Sequence, residues 1–300
     1  MLENTLDNEY KFESIGTGWI IETKEPLTDS IKSRLHNRID LFDKTYSRFR
    51  SDSLVASIAS ATDGGLFKFP NDSLPMFDLY DMLHKLTGGK VDPLIGAELK
   101  LLGYDAQYSL QTNPRAAYFN PDKQVLDWTG DISRRGNLIT TDRPLTIDVG
   151  AAGKGYLVDI ISGILINEGI TEYLIDGSGD IRHAGNVEVI VGLEHPANAE
   201  MVIGTLPLKN QAICASATNR RKWGNGLHHV LDGRTGRPVQ DVVATWAIAE
   251  TALLADGLAT ALFFVNAEKL KEQFLFSSVR IFSDMRVEVS DDFEGTLFTK

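Results

Sequence analysis

Asp256 and Thr260 stand four residues apart in Ala255-Asp256-Gly257-Leu258-Ala259-Thr260-Ala261-Leu262, a segment that predicts a helix over about 251–265. That spacing places a carboxylate and a hydroxyl on one helix face, one turn apart. Both are hard oxygen donors of the kind Mg²⁺ accepts, with water or a substrate phosphate completing an octahedron. The neighbours Ala255, Leu258, Ala259, Ala261 and Leu262 leave the helix apolar almost all round, where a carboxylate is costly to bury without a partner. The plainer alternative is a threonine bonded back to its own helix and a solvated aspartate. A second constellation begins with Leu145, Ile147 and Val149, which predict a strand near 145–148 ending at Asp148. Gly150-Ala151-Ala152-Gly153 then leads to Lys154 and a periodic helix (Tyr156, Leu157, Ile160, Ile161, Ile164, Leu165) closed by Gly169. Strand, small-residue turn, lysine and helix present backbone N–H groups and a cation to a phosphate. It is not a Walker A loop, which needs Gly where Asp148 stands and Ser or Thr where Gly155 stands. A tight turn with a solvated lysine remains the simpler reading. The third is His228-His229, expected on a strand over about 227–231 and therefore pointing to opposite faces. A neutral imidazole there could take a proton from an attacking hydroxyl near pH 7; a histidine merely satisfied by hydrogen bonds is the alternative.

Taken in order with other short motifs, these segments resemble the ApbE family of flavin transferases. The added motifs are Ile15-Gly16-Thr17, Ser47-Arg48-Phe49-Arg50-Ser51-Asp52-Ser53, Gly89-Lys90-Val91-Asp92-Pro93, Asp176-Gly177-Ser178-Gly179-Asp180-Ile181 and His228-His229-Val230-Leu231-Asp232-Gly233-Arg234. The resemblance spans roughly residues 12–265, and each motif is weak alone. It implies a compact fold with a flavin cleft between two halves of the chain. It implies further that the main-chain carbonyl of Ala151 joins Asp256 and Thr260 as a metal ligand, and that Lys154 and Asp148 lie at the FAD. It selects His229, through the His-x-x-Asp register to Asp232, as the candidate base. Ile15, Phe49, Lys90-Val91-Asp92 and Leu231 match cofactor contacts; a core role for Phe49 and a capping role for Asp92 and Asp148 are the plain alternatives.

The activity so implied is Mg²⁺-dependent transfer of FMN from FAD to a Ser or Thr hydroxyl of an acceptor flavoprotein, releasing AMP. An FAD diphosphatase using water, a non-catalytic FAD-binding protein and a non-flavin nucleotide enzyme are the alternatives. The chain departs from the commoner pattern at Ile15 for Met, Ser178 for Gly, Gly233 for Pro, and Ala215-Ser216-Ala217-Thr218 for Thr-Ser-Gly-Asp. Ala259 also removes a second carboxylate that some relatives carry before the threonine.

Three hundred residues with 43% hydrophobic content suffice for a sizeable core. A net charge of −11 argues against a nucleic-acid partner, and an anionic substrate then needs a local cation. The single cysteine, Cys214, excludes an internal disulfide and a cysteine zinc cluster, and its apolar context predicts a buried thiol. No apolar run approaches the ~20 residues that span a bilayer. The acidic N-terminus, Met1 to Glu9, lacks the basic and apolar regions of a signal peptide, so a cytoplasmic location is expected.

Further helices are expected near 29–46 and 74–87, with Thr28 or Asp29 capping the first, and another from the Asp92-Pro93 cap to Gly103. Strands are expected near 15–23, 124–128, 172–176, 187–193, 211–216 and 243–249. Strands outnumber helices and cluster in the second half, which favours an α+β fold with mixed or antiparallel sheets and inserted helices. With no linker or repeat, one domain over 1–300 is expected.

Overall fold

Two strands of alternating size explain the layering. In Ala212–Ala217, Ala212 and Cys214 face one way and Ile213 and Ala215 the other. In Val242–Ala249, Ala247 and Ala249 share the first face while Trp246 and Ile248 take the second, as period-two geometry requires. The computed structural model describes residues 6–120, 122–219, 221–224 and 226–298. The two strands sit inside an eight-stranded sheet. Its spatial order is Asn8–Ser14, Thr17–Thr23, Tyr173–Asp176, Asp180–Ala184, Ala212–Ala217, Val242–Ala249, Ser277–Phe282 and Val287–Val289. Every pairing in it is antiparallel. With helices inserted between strands, the fold is α+β, as expected.

The helices are α1 (Asp29–Tyr46), α2 (Leu54–Ser60), α3 (Leu74–Thr87), α4 (Gly96–Leu101), α5 (Gly153–Asn167), α6 (Ala252–Ala261) and α7 (Ala267–Lys271). Helix α6 lies on the small-residue face of the sheet and against α5. Ala252, Ala255 and Ala259 meet Ala212, Cys214 and Ala247 there, all buried, and small side chains on both sides bring helix and sheet close. Thr245 Oγ1 even donates to the Ala259 carbonyl across the gap at 2.6 Å. The larger residues on the opposite face pack under a three-stranded sheet of Val189–His195, Asn198–Leu208 and Thr296–Leu297.

Helices α1 and α3 fall where their periodicity places them, with Thr28 accepting from Ile31 N at 3.3 Å and a left-handed Gly88 ending α3. Asp92 caps the turn into α4, accepting from Leu94 N at 2.7 Å. Four expectations need correction. Residues 145–149 form no strand, although Leu145, Ile147 and Val149 are buried as in one. Their neighbour is the turn before α4, where Pro93 O accepts from Asp148 N at 2.8 Å, so no strand edge is available. Residues 124–128 form no strand either; Trp128 N is drawn off to the Asp92 carboxylate at 2.8 Å. The run 227–231 breaks into Leu227–His228 and Leu231–Asp232, and the last helix stops at Ala261. The hairpin strand Asn8–Ser14, the strands at 180–184 and 198–208 and the elements after 265 were not anticipated. Of the N-terminal segment, Met1–Thr5 lie outside the described residues. Among those described, no helix is long and apolar enough to cross a membrane.

The contact of α5 with α6 sets the position of both chemical loops. A Cβ on Gly155 would collide with the Ala252 carbonyl oxygen and come within 2.6 Å of Asp256 Cβ, so only glycine fits. Gly163, in the same helix, has open space at its Cβ position. Gly155→Ala should lose roughly 2–3 kcal/mol as overpacking against backbone, whereas Gly163→Ala should gain about 0.5–1 kcal/mol from helix propensity. Urea unfolding of the two variants checks the contrast.

Candidate active site

One cavity of about 660 Å³ collects every candidate residue. The N-terminal half supplies Ile15, Phe49, Lys90, Val91 and Asp92; the loop into α5 supplies Asp148, Ala151 and Lys154; the C-terminal half supplies His229, Leu231, Asp256 and Thr260. The cavity is within the ~300–1,000 Å³ range usual for ligand sites.

Its floor is a buried charge cluster. Asp256 and Thr260 project from α6 toward the loop that starts α5. Gly155 N donates to Asp256 Oδ2 at 2.9 Å, and Thr260 Oγ1 donates to Ala151 O at 3.1 Å. Beside them is a residue whose role the sequence did not reveal. Asp180 is wholly buried on its strand, its oxygens without an aligned hydrogen-bond donor. Lys154 Nζ lies 2.9 Å from Asp180 Oδ2 and donates to Gly177 O at 2.6 Å and Ser178 O at 3.2 Å. The lysine expected to reach a phosphate is therefore turned inward. Burial works against its charge, but Asp180 and Asp256 outweigh burial and hold its pKa above the ordinary value. Burial and then mutual repulsion with Asp180 push the Asp256 carboxyl well up; burial also raises Asp180, opposed by Lys154. Two buried carboxylates against one ammonium leave an uncompensated negative charge when both ionise. Hard oxygens surround that deficit. The 3.1 Å between Thr260 Oγ1 and Ala151 O is close to the ~2.9 Å edge of an octahedron with Mg–O bonds of 2.0–2.1 Å. The donor set fits Mg²⁺.

A second buried ion pair builds one wall. Arg48 pairs with Asp148, and its Nη1 donates to Tyr104 O at 2.7 Å while Nη2 is buried without a partner. Burial tends to raise Asp148, but Arg48 overrides it and holds the carboxyl below its usual range. Asp148 also accepts from Gly150 N at 2.7 Å, shaping the turn; it does not cap α5, whose N-cap is Ala152. The Arg48 guanidinium carbon lies 4.2 Å from the Phe49 ring centre, a cation–π contact. Tyr104 lies outside the motifs of the sequence, and Arg48, though within one, carried no role there of its own. Lys90 is near Asp232, at 4.0 Å, and Val91 is buried. Both Asp92 oxygens accept backbone N–H groups, and His84 Nε2 lies 3.3 Å from Asp92 and 3.2 Å from Asp127. The three groups share charge, with the Asp92 hydrogen bond foremost in raising the His84 pKa. They brace the Lys90-Val91 turn.

The two adjacent histidines part company. His228 ends a two-residue strand, is buried, and its Nε2 bonds the Val239 carbonyl at 2.8 Å. His229 sits in the bend that follows, not on a strand, and lines the cavity with Nδ1 lacking a partner. Burial, then the Arg221 charge and His228, push its pKa down to about 3. It is therefore neutral throughout the physiological range. Protons bind the unfolded histidine from about pH 6.5 downward, but bind the folded one only near 3. Stability from this group is complete above 6.5 and is lost as the solution is acidified. Wild type should lose up to about 1.4 kcal/mol per pH unit below 6.5 through His229, a slope missing in His229→Asn. Denaturant titrations between pH 5 and 7 measure the difference.

The sequence matches the profile of the ApbE family over residues 15–276. The FAD:protein FMN transferase of Buchnera aphidicola subsp. Schizaphis graminum is 26% identical over 281 residues, 87% of this chain and 81% of that protein. One from Klebsiella pneumoniae is 25% identical, covering 87% and 79%. The flavin transferase ApbE from Vibrio cholerae shares the fold with a TM-score of 0.79 at 20% identity, over 95% of this chain and 97% of that one. The ApbE protein of Thermotoga maritima gives 0.80 at 21%, over 94% and 96%. The match covers most of the chain, and the protein belongs to the ApbE family.

Proposed function

We propose that this chain is an FAD:protein FMN transferase. The observation that carries the reading is the convergence, in one cavity, of a buried carboxylate pair with hard-oxygen neighbours and an Arg48-backed aromatic wall. A wall of rings, and a floor whose excess negative charge a divalent cation would reverse for a diphosphate, suit a dinucleotide with a diphosphate between planar ends. The relatives named for this reaction support it.

In this mechanism the hydroxyl of a Ser or Thr on an acceptor flavoprotein attacks the FMN-side phosphorus of FAD. The P–O bond to the AMP phosphate breaks, AMP leaves, and FMN remains as a phosphoester. His229 takes the hydroxyl proton on a ring nitrogen; anionic substrate in the cavity raises its pKa from the depressed resting value and makes it a better base. Asp256, Thr260 and the Ala151 carbonyl would hold Mg²⁺, which supplies charge neutralisation and orientation of the diphosphate. Lys154 balances the Asp180–Asp256 pair and fixes the Gly177-Ser178 turn at the cavity edge. Phe49 and Leu231 bound the apolar side, and Ile15, Lys90 and Val91 complete the lining.

Mass spectrometry after incubation with FAD, Mg²⁺ and a flavoprotein acceptor tests the reading. The acceptor should gain the mass of FMN, with one AMP released per transfer. Free FMN and AMP without acceptor modification would instead indicate a diphosphatase, and unchanged FAD a binding protein. Asp256→Asn should cut transfer by about 100-fold or more, since even outer-shell partners of a metal cost 10–100-fold. His229→Ala should slow it roughly 10²–10⁴-fold. His228→Ala should keep the rate and lose stability, because His228 bonds only its own framework. A larger rate defect in His228→Ala would remove His229 as base.

A further inference from the structure

Phe49, the aromatic singled out by sequence, has little left to offer a ligand. The Arg48 guanidinium lies over its ring, Tyr104 meets it edge-on with centroids 5.4 Å apart at 73°, and Tyr108 stacks on it at 5.4 Å and 7°. Sandwiching another ring between Phe49 and Tyr108 requires centroids about 7 Å apart, twice a carbon–carbon contact. Tyr108 also meets Tyr104 edge-on, with centroids 5.5 Å apart at 80°, and differs from Phe49 in its exposure. It lines the same cavity and is 51% exposed, whereas the other aromatic side chains lining it among the described residues are buried or half-buried.

The chain spends conformational energy to hold this ring in place. Tyr108 is left-handed, at φ +49°, a conformation that costs a non-glycine residue about 1 kcal/mol or more. Its turn is closed on itself. Asp105 Oδ1 accepts from Gln107 N and Ser109 N at 3.0 Å, Asp105 Oδ2 accepts from Ser109 Oγ at 2.6 Å, and Tyr108 N donates to Asp105 O at 3.1 Å. Across the cavity mouth the Tyr108 hydroxyl reaches the Ile15-Gly16-Thr17 turn; a Cβ on Gly16 would be 3.7 Å from it. The ring thus bars the mouth with Phe49 and Arg48 behind it.

We propose that Tyr108 is the stacking platform for one planar ring of the dinucleotide, with Phe49 as its backing. The inference rests on the FAD reading above. It concerns a side chain outside the motifs singled out in the sequence, in a turn that is not one of them. A backed platform loses little entropy on binding, because its ring is already stacked and its turn already fixed. Flavin and adenine both present a π face, so the shared chemistry is aromatic stacking, worth about 1–3 kcal/mol per ring.

Equilibrium titrations of wild type, Tyr108→Phe and Tyr108→Leu with FAD, FMN and ADP, each with Mg²⁺, test it. Tyr108→Leu should weaken FAD binding roughly 5- to 150-fold, and Tyr108→Phe, which keeps the ring, should stay within about threefold of wild type. An equal loss for FMN places the flavin on Tyr108; an equal loss for ADP places the adenine there. Tyr108→Phe should melt with wild type, and Tyr108→Leu should stay folded with a loss of about 0.5–1.5 kcal/mol from the Phe49 stack. If wild type binds FAD and Tyr108→Leu binds it within about twofold, the platform is refuted while the function stands. Tyr108→Phe as weak as Tyr108→Leu also refutes it, by assigning the effect to the hydroxyl. If wild type fails to bind FAD, both readings fall.

Discussion

The structure turns on Asp180, Lys154 and Asp256, two buried carboxyls and a half-buried ammonium where the central sheet, α5 and α6 meet. Taking one carboxylate out of water costs several kcal/mol, and a second next to it costs more. The rest of the molecule is arranged around that cost. Ala212, Cys214, Ala252 and Ala255 keep sheet and helices close enough to bury the cluster. Gly155 lets α5 approach α6 until its N–H reaches Asp256. The lysine supplies one positive charge, and Thr260 with the Ala151 carbonyl supplies uncharged oxygens at the edge. A site so placed is a poor device for folding, and a small, hard cation would relieve its excess negative charge.

The opposite wall works by complementary means. Arg48 and Asp148 satisfy each other, so the guanidinium is free to stiffen Phe49 and Tyr104 without presenting a bare charge to the cavity. That wall presents rings backed by a paired charge, and the floor is polar and short of positive charge. On the proposed reading, the contrast would orient a bound dinucleotide with its rings toward Phe49 and Tyr108 and its phosphates toward α6. His229 lies on the same lining, kept neutral by its buried surroundings.

Much of this was legible in the residues. The spacing of Ile31, Leu35, Ile39 and Phe42 set α1, the Thr28 and Asp92 caps marked true starts, and Gly169 ended α5. Asp256 and Thr260 share a helix face because a four-residue spacing leaves no other outcome once the helix exists. What was illegible depended on partners distant in sequence. Leu145, Ile147 and Val149 alternate as in a strand and bury as one, yet whether a strand edge lay beside them was decided by the turn at Pro93. The histidine pair read as a strand because nothing local signalled the bend at His229. Asp180 looked like part of a glycine-rich turn; only the packing of α6 puts it beside Asp256. Lys154 read as a phosphate ligand, and only that same packing shows where its charge is spent.

The central claim is that the buried carboxylate pair is completed by a divalent cation. Thermal unfolding of chelator-stripped protein, with and without saturating Mg²⁺, addresses it without substrate or turnover. Ligand at a hundred times its dissociation constant stabilises a protein by about 2.7 kcal/mol, so wild type should melt several degrees higher with Mg²⁺. Asp256→Asn should show no such rise, although without metal it should be at least as stable as wild type, having lost one of two repelling charges. A wild-type melting temperature indifferent to Mg²⁺, or an equal rise in Asp256→Asn, would contradict the account.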